Sequence, residues 1–411
     1  MSSQQSDPAV ARKNIRFLGR SDQGGRPDGT QVMLHKEHAI VGHMFSDGFS
    51  VIDIRDPRAP KPVAFVANPP NTRSHHIQAH DGILLTVNGA NVWALAKYAE
   101  QKDYFTQALT ESFRGDAPFA SGLRVYDISQ PETPREIAFL AVPGLGLHRI
   151  WWVGGRYAYA SAHLPGFSDH IMIAIDVADP AHPRLVGQWW LHGMKDGEEP
   201  RTPKGKRVAA HHAIIAGDLA YGAWRDGGFT VHDIRDPANA RLVGHVNWSP
   251  PFAGGTHTPL PLPDRHLAIV ADEATSNNCA NGIAYTWVLD MRAPENPITI
   301  ATLPTPSEAD YCGKGGKFGP HNLHENRPGT LQRSDLVFAT YHNAGVRVFD
   351  ISNAFAPRET AYYVPPDPER IVDIRPNAAK AIQSCDVLVD VNGVTYVTDT
   401  NAGLYILQYE G

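Results

Sequence analysis

Short apolar–polar alternations, each closed by Pro, Asn, Asp or Gly, run through most of this chain, and helical spacing is rare. The pattern is repetitive. The phrase "GFSVIDIRDPRAPKPVAFV" from Gly48 returns as "GLRVYDISQPETPREIAFL" from Gly122, "HIMIAIDVADPAHPRLVGQW" from His170 and "GFTVHDIRDPANARLVGHV" from Gly228, with looser copies from Ala284 and Gly345. Each copy alternates, reaches an Asp, turns on Pro or Asn and resumes as an apolar strand. That predicts two antiparallel strands joined by a tight turn. The marker residues Asp53, Asp127, Asp176, Asp233, Asp290 and Asp350 lie roughly 50 to 75 residues apart, the period of propeller blades with loop insertions. Their own role is turn formation.

Upstream of the copies lie further strand pairs, such as "HHAIIAGDLAYGAW" (211–224) and "LHRIWWVGGRYAYASA" (147–162), hinged on Gly-Asp or Gly-Gly. Four strands, A to D, therefore make one blade. The C-terminal "CDVLVDVNGVTYVTDTNAGLYILQY" supplies only A to C, while "NIRFLGR" (14–20) reads as an isolated D strand. Pairing the two leaves no open sheet edge. The chain is thus expected to be one all-β domain over 1–411, a seven-bladed β-propeller of four-stranded blades closed by 14–20.

The recurring phrase resembles the LVIVD-type repeat of seven-bladed propellers, and the architecture is more distantly similar to the selenium-binding-protein or methanethiol-oxidase group. The resemblance implies the propeller fold. What the protein does must be argued from its site.

One insertion departs from the blade plan. Residues 94–121 place apolar positions at helical spacing and predict one or two short helices in the second blade. They would either cap the site with Tyr98, Tyr104 or Phe105, or form a subunit contact in a homo-oligomer.

Composition narrows the partners. A net charge of −6 with scattered Lys and Arg offers no basic stripe for nucleic acid. No apolar run reaches the length of a spanning helix, and "MSSQQSDPAVARKN" lacks the apolar core of a secretory signal, so a cytoplasmic protein away from membranes is expected. Cys279, Cys312 and Cys385 form no CxxC pair and read as reduced thiols.

The candidate chemistry is histidine. In a propeller, strand A runs along the central channel and B returns, so the start of A and the end of B share a face. Aligned on the A–B turn, His76, His148, His212, His257 and His321 all begin strand A in different blades, with Cys385 or Asp386, and Gln31 or Val32, in the others. In the doublets 75–76 and 211–212, neighbours face opposite ways, and a slip of one residue would exchange them. His324, three beyond His321, reads as a loop residue. The ends of B supply His43, Asn88, His163, Arg225, Glu273, His342 and Thr400. The long connections 191–210, 272–283, 304–320 and 364–383 would form walls and a lid above that face.

Imidazoles entering one channel from five blades can converge on one ion, and neutral imidazole suits iron, copper or zinc. His76, His148, His212, His257 and His321 are the candidate ligands. Remaining histidines such as His163 would act as acids, bases or partners of the ligands. Glu273 and Asp386 would accept imidazole N–H groups or serve as bases, and Arg225 would clamp a carboxylate. The expected function is a metal-dependent oxidoreductase acting on a small organic molecule. Similar chemistry is found in propeller oxygenases that hold iron through four histidines and in the copper-linked methanethiol oxidases that the repeat distantly resembles. The alternatives are a hydrolase or lyase using a metal-bound water, and a non-enzymatic scaffold for protein binding.

Overall fold

The computed structural model describes residues 5–95, 104, 118–201 and 206–411. Around the repeat at Gly228, the strands Val208–Ala216, Leu219–Arg225, Phe229–Asp233 and Arg241–Val246 pair in chain order as one antiparallel unit. The same plan recurs along the chain. Two larger sheets each join two such units through a single residue pair, Gly146 with Gly89 and Arg225 with Thr256. Three further four-stranded sheets stand alone among the described residues. Ile15–Ser21 pairs antiparallel with Gly403–Tyr409, bringing both chain ends into one sheet.

One unit differs from the pattern. Leu336–Thr340, Val346–Asp350 and Arg358–Val364 take Ala11–Lys13 as their outer strand. The segment around His321, expected as strand A, forms no strand of its own. It follows Leu336–Thr340 through a few bonds: the amides of His321 and His324 donate to Thr340 O and Phe338 O, and the Thr340 amide donates to Asn322 O. Pro320 and Pro328 bracket this segment and remove two ladder donors.

Burial is graded from the inside outward, as expected of sheets that pack face to face around an axis. Leu267–Asp272 is buried throughout, whereas the outer Lys61–Ala67 and Arg184–Trp189 are largely open to solvent. Trp151, Trp152 and Trp189 fill one core between neighbouring units. The marker aspartates hold their turns. Asp233 accepts from the Arg235 amide at 3.1 Å and pairs with the Arg235 and Arg241 guanidinium groups. Gly228 and Gly345, which head their phrases at φ +82° and +76°, lie under the carbonyls of Val246 and Tyr363, where a Cβ would collide.

Cys279 and Cys312, read from the sequence as reduced thiols, are joined in a disulfide with a Cα–Cα distance of 5.5 Å. Sequence spacing missed this pair because two separate long loops bring it together. The cysteine argument for a reducing compartment therefore falls. Among the described residues, no helix is long and apolar enough to cross a membrane. The helical insertion expected over 94–121 lies mostly outside the described residues, as do Tyr98 and Phe105; the described parts include Tyr104 and a short helix, Val92–Leu95.

Candidate metal centre

Four of the A–B strand pairs lose register at the start of strand A. The shifts fall between Leu147 and Ile150, Val208 and His212, Thr256 and Thr258, and Ser384 and Asp386. His148, His211, His257 and Cys385 sit inside these bulges. A bulge re-aims the side chain it contains, and here all four line one cavity at the channel mouth. His76, His321 and His342 line it too, together with Glu273, Arg225 and Lys317.

The register slip decides the doublet at 211–212. His211, not the expected His212, lines the cavity, and its ring stacks on His257 with centroids 3.6 Å apart. His212, paired across from Ala223, places its ring beside Trp151 and 3.6 Å from Glu325. Strict alternation from the A–B turn gave His212 because the bulge adds residues that alternation does not count.

Hydrogen bonds fix the tautomers. His321 Nδ1 lies 2.6 Å from Cys385 O and His211 Nδ1 lies 2.9 Å from His257 O; a carbonyl only accepts, so both Nδ1 atoms carry the proton. His257 Nδ1 is 2.9 Å from Thr258 Oγ1, whose own proton can go to Asn322 Oδ1 or His321 O. Each of these three rings is thereby left with its Nε2 lone pair free. Burial holds the His257 and His211 pKa values well below the ordinary range, and His321 falls to about 4 for the same reason.

Glu273 completes the group. Its Oε2 lies 3.7 Å from His257 Nε2, and the ligand atoms of His257, Glu273 and His321 all lie within 4.8 Å of one another. Burial would raise its carboxyl, but Lys317 and Arg225 hold it well below the usual range. Lys317 Nζ binds Oε1 at 3.2 Å, and Arg225 Nη1 binds Oε2.

A second group, His75, His76 and His148, also brings its ligand atoms within 4.8 Å. Arg149 Nη1 donates to His76 Nδ1 at 2.8 Å, and arginine can only donate. The His76 proton therefore sits on Nε2, and that ring faces the cavity as a donor rather than a ligand. His75 Nε2 and His148 Nδ1 bond each other at 3.2 Å. That bond takes one nitrogen of each ring, and His75 Nδ1 has no hydrogen-bond partner among the described residues.

Arg225, the last residue of Leu219–Arg225, and His342, two residues beyond Leu336–Thr340, lie at φ 51° and 43°. Left-handed backbone costs a non-glycine residue about 1–2 kcal/mol, and such strain gathers at functional sites.

The remaining expectations divide. Among the candidates for catalysis, Glu273 and Arg225 line the cavity, and so do His342 and Thr400. His163 does not; its ring lies beside His170, 5.8 Å between centroids. Asp386 does not line it either; its Oδ2 accepts from the Val32 amide at 3.0 Å, and burial pushes its pKa up to about 7. His43 is held by Asp28 O and Ser50 Oγ, and Asn88 by Ala120 O, as structural links. His324 spends both ring nitrogens on backbone, Nε2 on Leu331 O and Nδ1 on Val389 N. Sequence reasoning missed Arg73, Lys317 and Arg375. The last two sit on connections expected to form the walls, 304–320 and 364–383, which was the available signal.

Next to the histidines lies a second buried polar group. Arg149 pairs with Glu325 at 2.6 Å, Glu325 with Arg327 at 3.4 Å, and Arg327 binds Trp152 O and Gln78 Oε1.

The LVIVD repeat family matches residues 209–247. Among solved structures, the chain is similar to U3-55K at 10% identity and TM-score 0.57, with 98% of this chain and 100% of that chain covered. It is similar to a protein from Lactobacillus plantarum at 11% identity and TM-score 0.54, with 98% of each chain covered. A functionally unknown protein from Desulfotomaculum acetoxidans matches at 12% identity and TM-score 0.50, over 82% of this chain and 90% of that one. No curated protein matches the chain. The expected likeness to the selenium-binding-protein group has no support in these matches. At such identities structural likeness speaks for fold alone, and together with the repeat it gives one conclusion: this chain has a β-propeller fold and carries an LVIVD repeat over residues 209–247.

Proposed function

We propose that this protein is a metal-dependent oxidoreductase whose ion sits on the propeller axis, held by His257, His321 and Glu273 with His211 alongside, and whose substrate is a small organic molecule. We read the four-stranded units as seven blades in a closed ring around that site. One observation carries the metal. The Nε2 lone pairs of His257 and His321 and the Glu273 carboxylate gather within 4.8 Å of one another, and the only donors on this group among the described residues, Lys317 and Arg225, are spent on the carboxylate and not on the rings. Facing acceptors repel unless a cation lies between, and imidazoles with depressed pKa values do not supply it by protonation.

Two imidazoles and a carboxylate suit non-haem iron, and an iron ion there would supply oxygen and one-electron chemistry. The chain's own residues do the rest. Cys385 O, Thr258 and His257 O orient the rings of His321, His257 and His211. Arg225 and Lys317 keep Glu273 ionised and fixed. The His76 N–H and the His342 ring face the same cavity, the first as a donor for a bound substrate.

A hydrolase or lyase needs a nearby base to take a proton from a bound water. Glu273, held low by two cations, is a poor one, and Asp386 lies off the cavity. A protein-binding scaffold has no use for converging imidazoles.

Elemental analysis of protein purified without a chelating tag tests the reading. About one equivalent of iron or another transition metal is expected per chain. Less than about a tenth of an equivalent, with no uptake on reconstitution, would overturn it.

A further inference from the structure

We propose that the same mouth cavity takes a small organic carboxylate, its charged end bound by Arg73 and Arg375 and its apolar body lying against Met44, Trp93 and Tyr104. As a binding site this stands on its own; as the substrate class it rests on the metal-centre reading.

Charge is the first reason. Arg73, Arg225, Lys317 and Arg375 all line the cavity, and the one lining carboxylate, Glu273, is already shared by Arg225 and Lys317. With Asp373 pairing Arg375 from behind, four cations meet two carboxylates, and the lining keeps an excess of positive charge.

Arg73 is the second. It is 3% exposed, its Nε has no partner, and Nη1 rests on Met44 Sδ at 3.9 Å, a weak acceptor. Among the described residues no carboxylate lies within ion-pair distance of it. A buried guanidinium is costly unless an anion meets it, and the open side of this one is the cavity. Arg375 is held ready, with Nη2 on Asp373 at 2.6 Å and its guanidinium over the Phe45 and Trp93 rings.

Tyr104 senses the same field. Burial would raise its hydroxyl, yet Arg73, Arg207 and Arg225 pull the pKa below the ordinary value. Its ring packs on Trp93 with centroids 4.4 Å apart, giving an aromatic wall beside the cations. Arg73 also hydrogen-bonds the Tyr104 side chain, but its Nε has no partner and no anion among the described residues meets it, and a planar guanidinium matches a carboxylate fork.

The test is calorimetric titration of the full chain with phenylacetate and with its neutral counterpart phenylacetamide, before and after chelator treatment. Phenylacetate is expected to bind both preparations, and the amide at least about tenfold more weakly. Arg73→Met, checked by its thermal melt, should lose about 10- to 100-fold in phenylacetate affinity while keeping its metal. The double variant His257→Ala, His321→Ala should lose metal and still bind phenylacetate. If Arg73→Met does not fold, the acid–amide comparison on the native chain decides. Equal binding of acid and amide, native affinity in a folded Arg73→Met, loss of binding on chelation, or displacement by equimolar inorganic phosphate would each overturn the carboxylate site. Absence of metal with phenylacetate binding intact would strike the metal centre alone.

Discussion

Two buried polar groups lie side by side in this propeller, and they differ in how they are satisfied. In the Arg149–Glu325–Arg327 group, cation meets anion, and the remaining donors reach Gln78 and the Trp152 carbonyl. In the His257–Glu273–His321 group, lone pairs face lone pairs around an open point. The first is charge-paired within itself, with Arg149 Nε the one nitrogen of its two guanidinium groups that is buried without a partner among the described residues. In the second the Glu273 carboxylate is paired with Arg225 and Lys317, but the two ring lone pairs are not, and the proposed cation would meet them. Buried polarity alone thus marks neither structure nor function; the sign of what is missing does.

The largest break in that contrast is loss of the ion. His257→Ala with His321→Ala should reduce bound metal at least about tenfold by elemental analysis. His232→Ala, whose ring packs on Trp189 and Trp224, should leave it unchanged. On the other side, Glu325→Ala strands two buried guanidinium groups and should cost about 3–5 kcal/mol in chemical denaturation without removing metal.

Acid sharpens the same comparison. Burial would raise the Glu325 carboxyl, but Arg149, His212 and Arg327 bring its folded pKa down to about 2. A depressed carboxyl contributes stability that is present above its unfolded value near 4.3 and lost as pH falls toward about 2. Denaturation across that window should therefore show an acid loss on the order of 3 kcal/mol that Glu325→Gln flattens.

Smaller effects probe orientation and strain. Thr258→Val removes the hydroxyl that holds the His257 ring and should weaken metal binding by about 10- to 100-fold in competition with a chelator. His342→Gly relieves a left-handed backbone and should raise the stability of the metal-free protein by up to about 1 kcal/mol in thermal melts.

Much of this was legible beforehand. Glycine-headed alternation and the Asp turns predicted the strands, because period-two patterning and turn chemistry are local. The pairing of the two chain ends followed from counting strands: the N-terminal segment lacked partners and the C-terminal unit lacked an outer strand. His148, His257, His321, Glu273 and Arg225 were placed by assuming that every unit repeats its neighbour. That assumption failed at 211–212. A bulge is an extra residue with no sequence marker, so only the pairing with Leu219–Arg225 showed that His211 faces the cavity. It failed again at His76, whose position was anticipated but whose lone pair belongs to Arg149, a side chain 73 residues away.

The sequence by itself determined the β-repeat, the family likeness and the gathering of histidines at one face, since each follows from patterns within a blade. Only the tertiary structure decided which imidazoles keep a free lone pair, which carboxylate joins them, that Cys279 meets Cys312, and that Arg73, Lys317 and Arg375 surround the mouth. Those outcomes depend on contacts between blades and on irregular loops, where neighbours in space are far apart in sequence and no periodicity announces them.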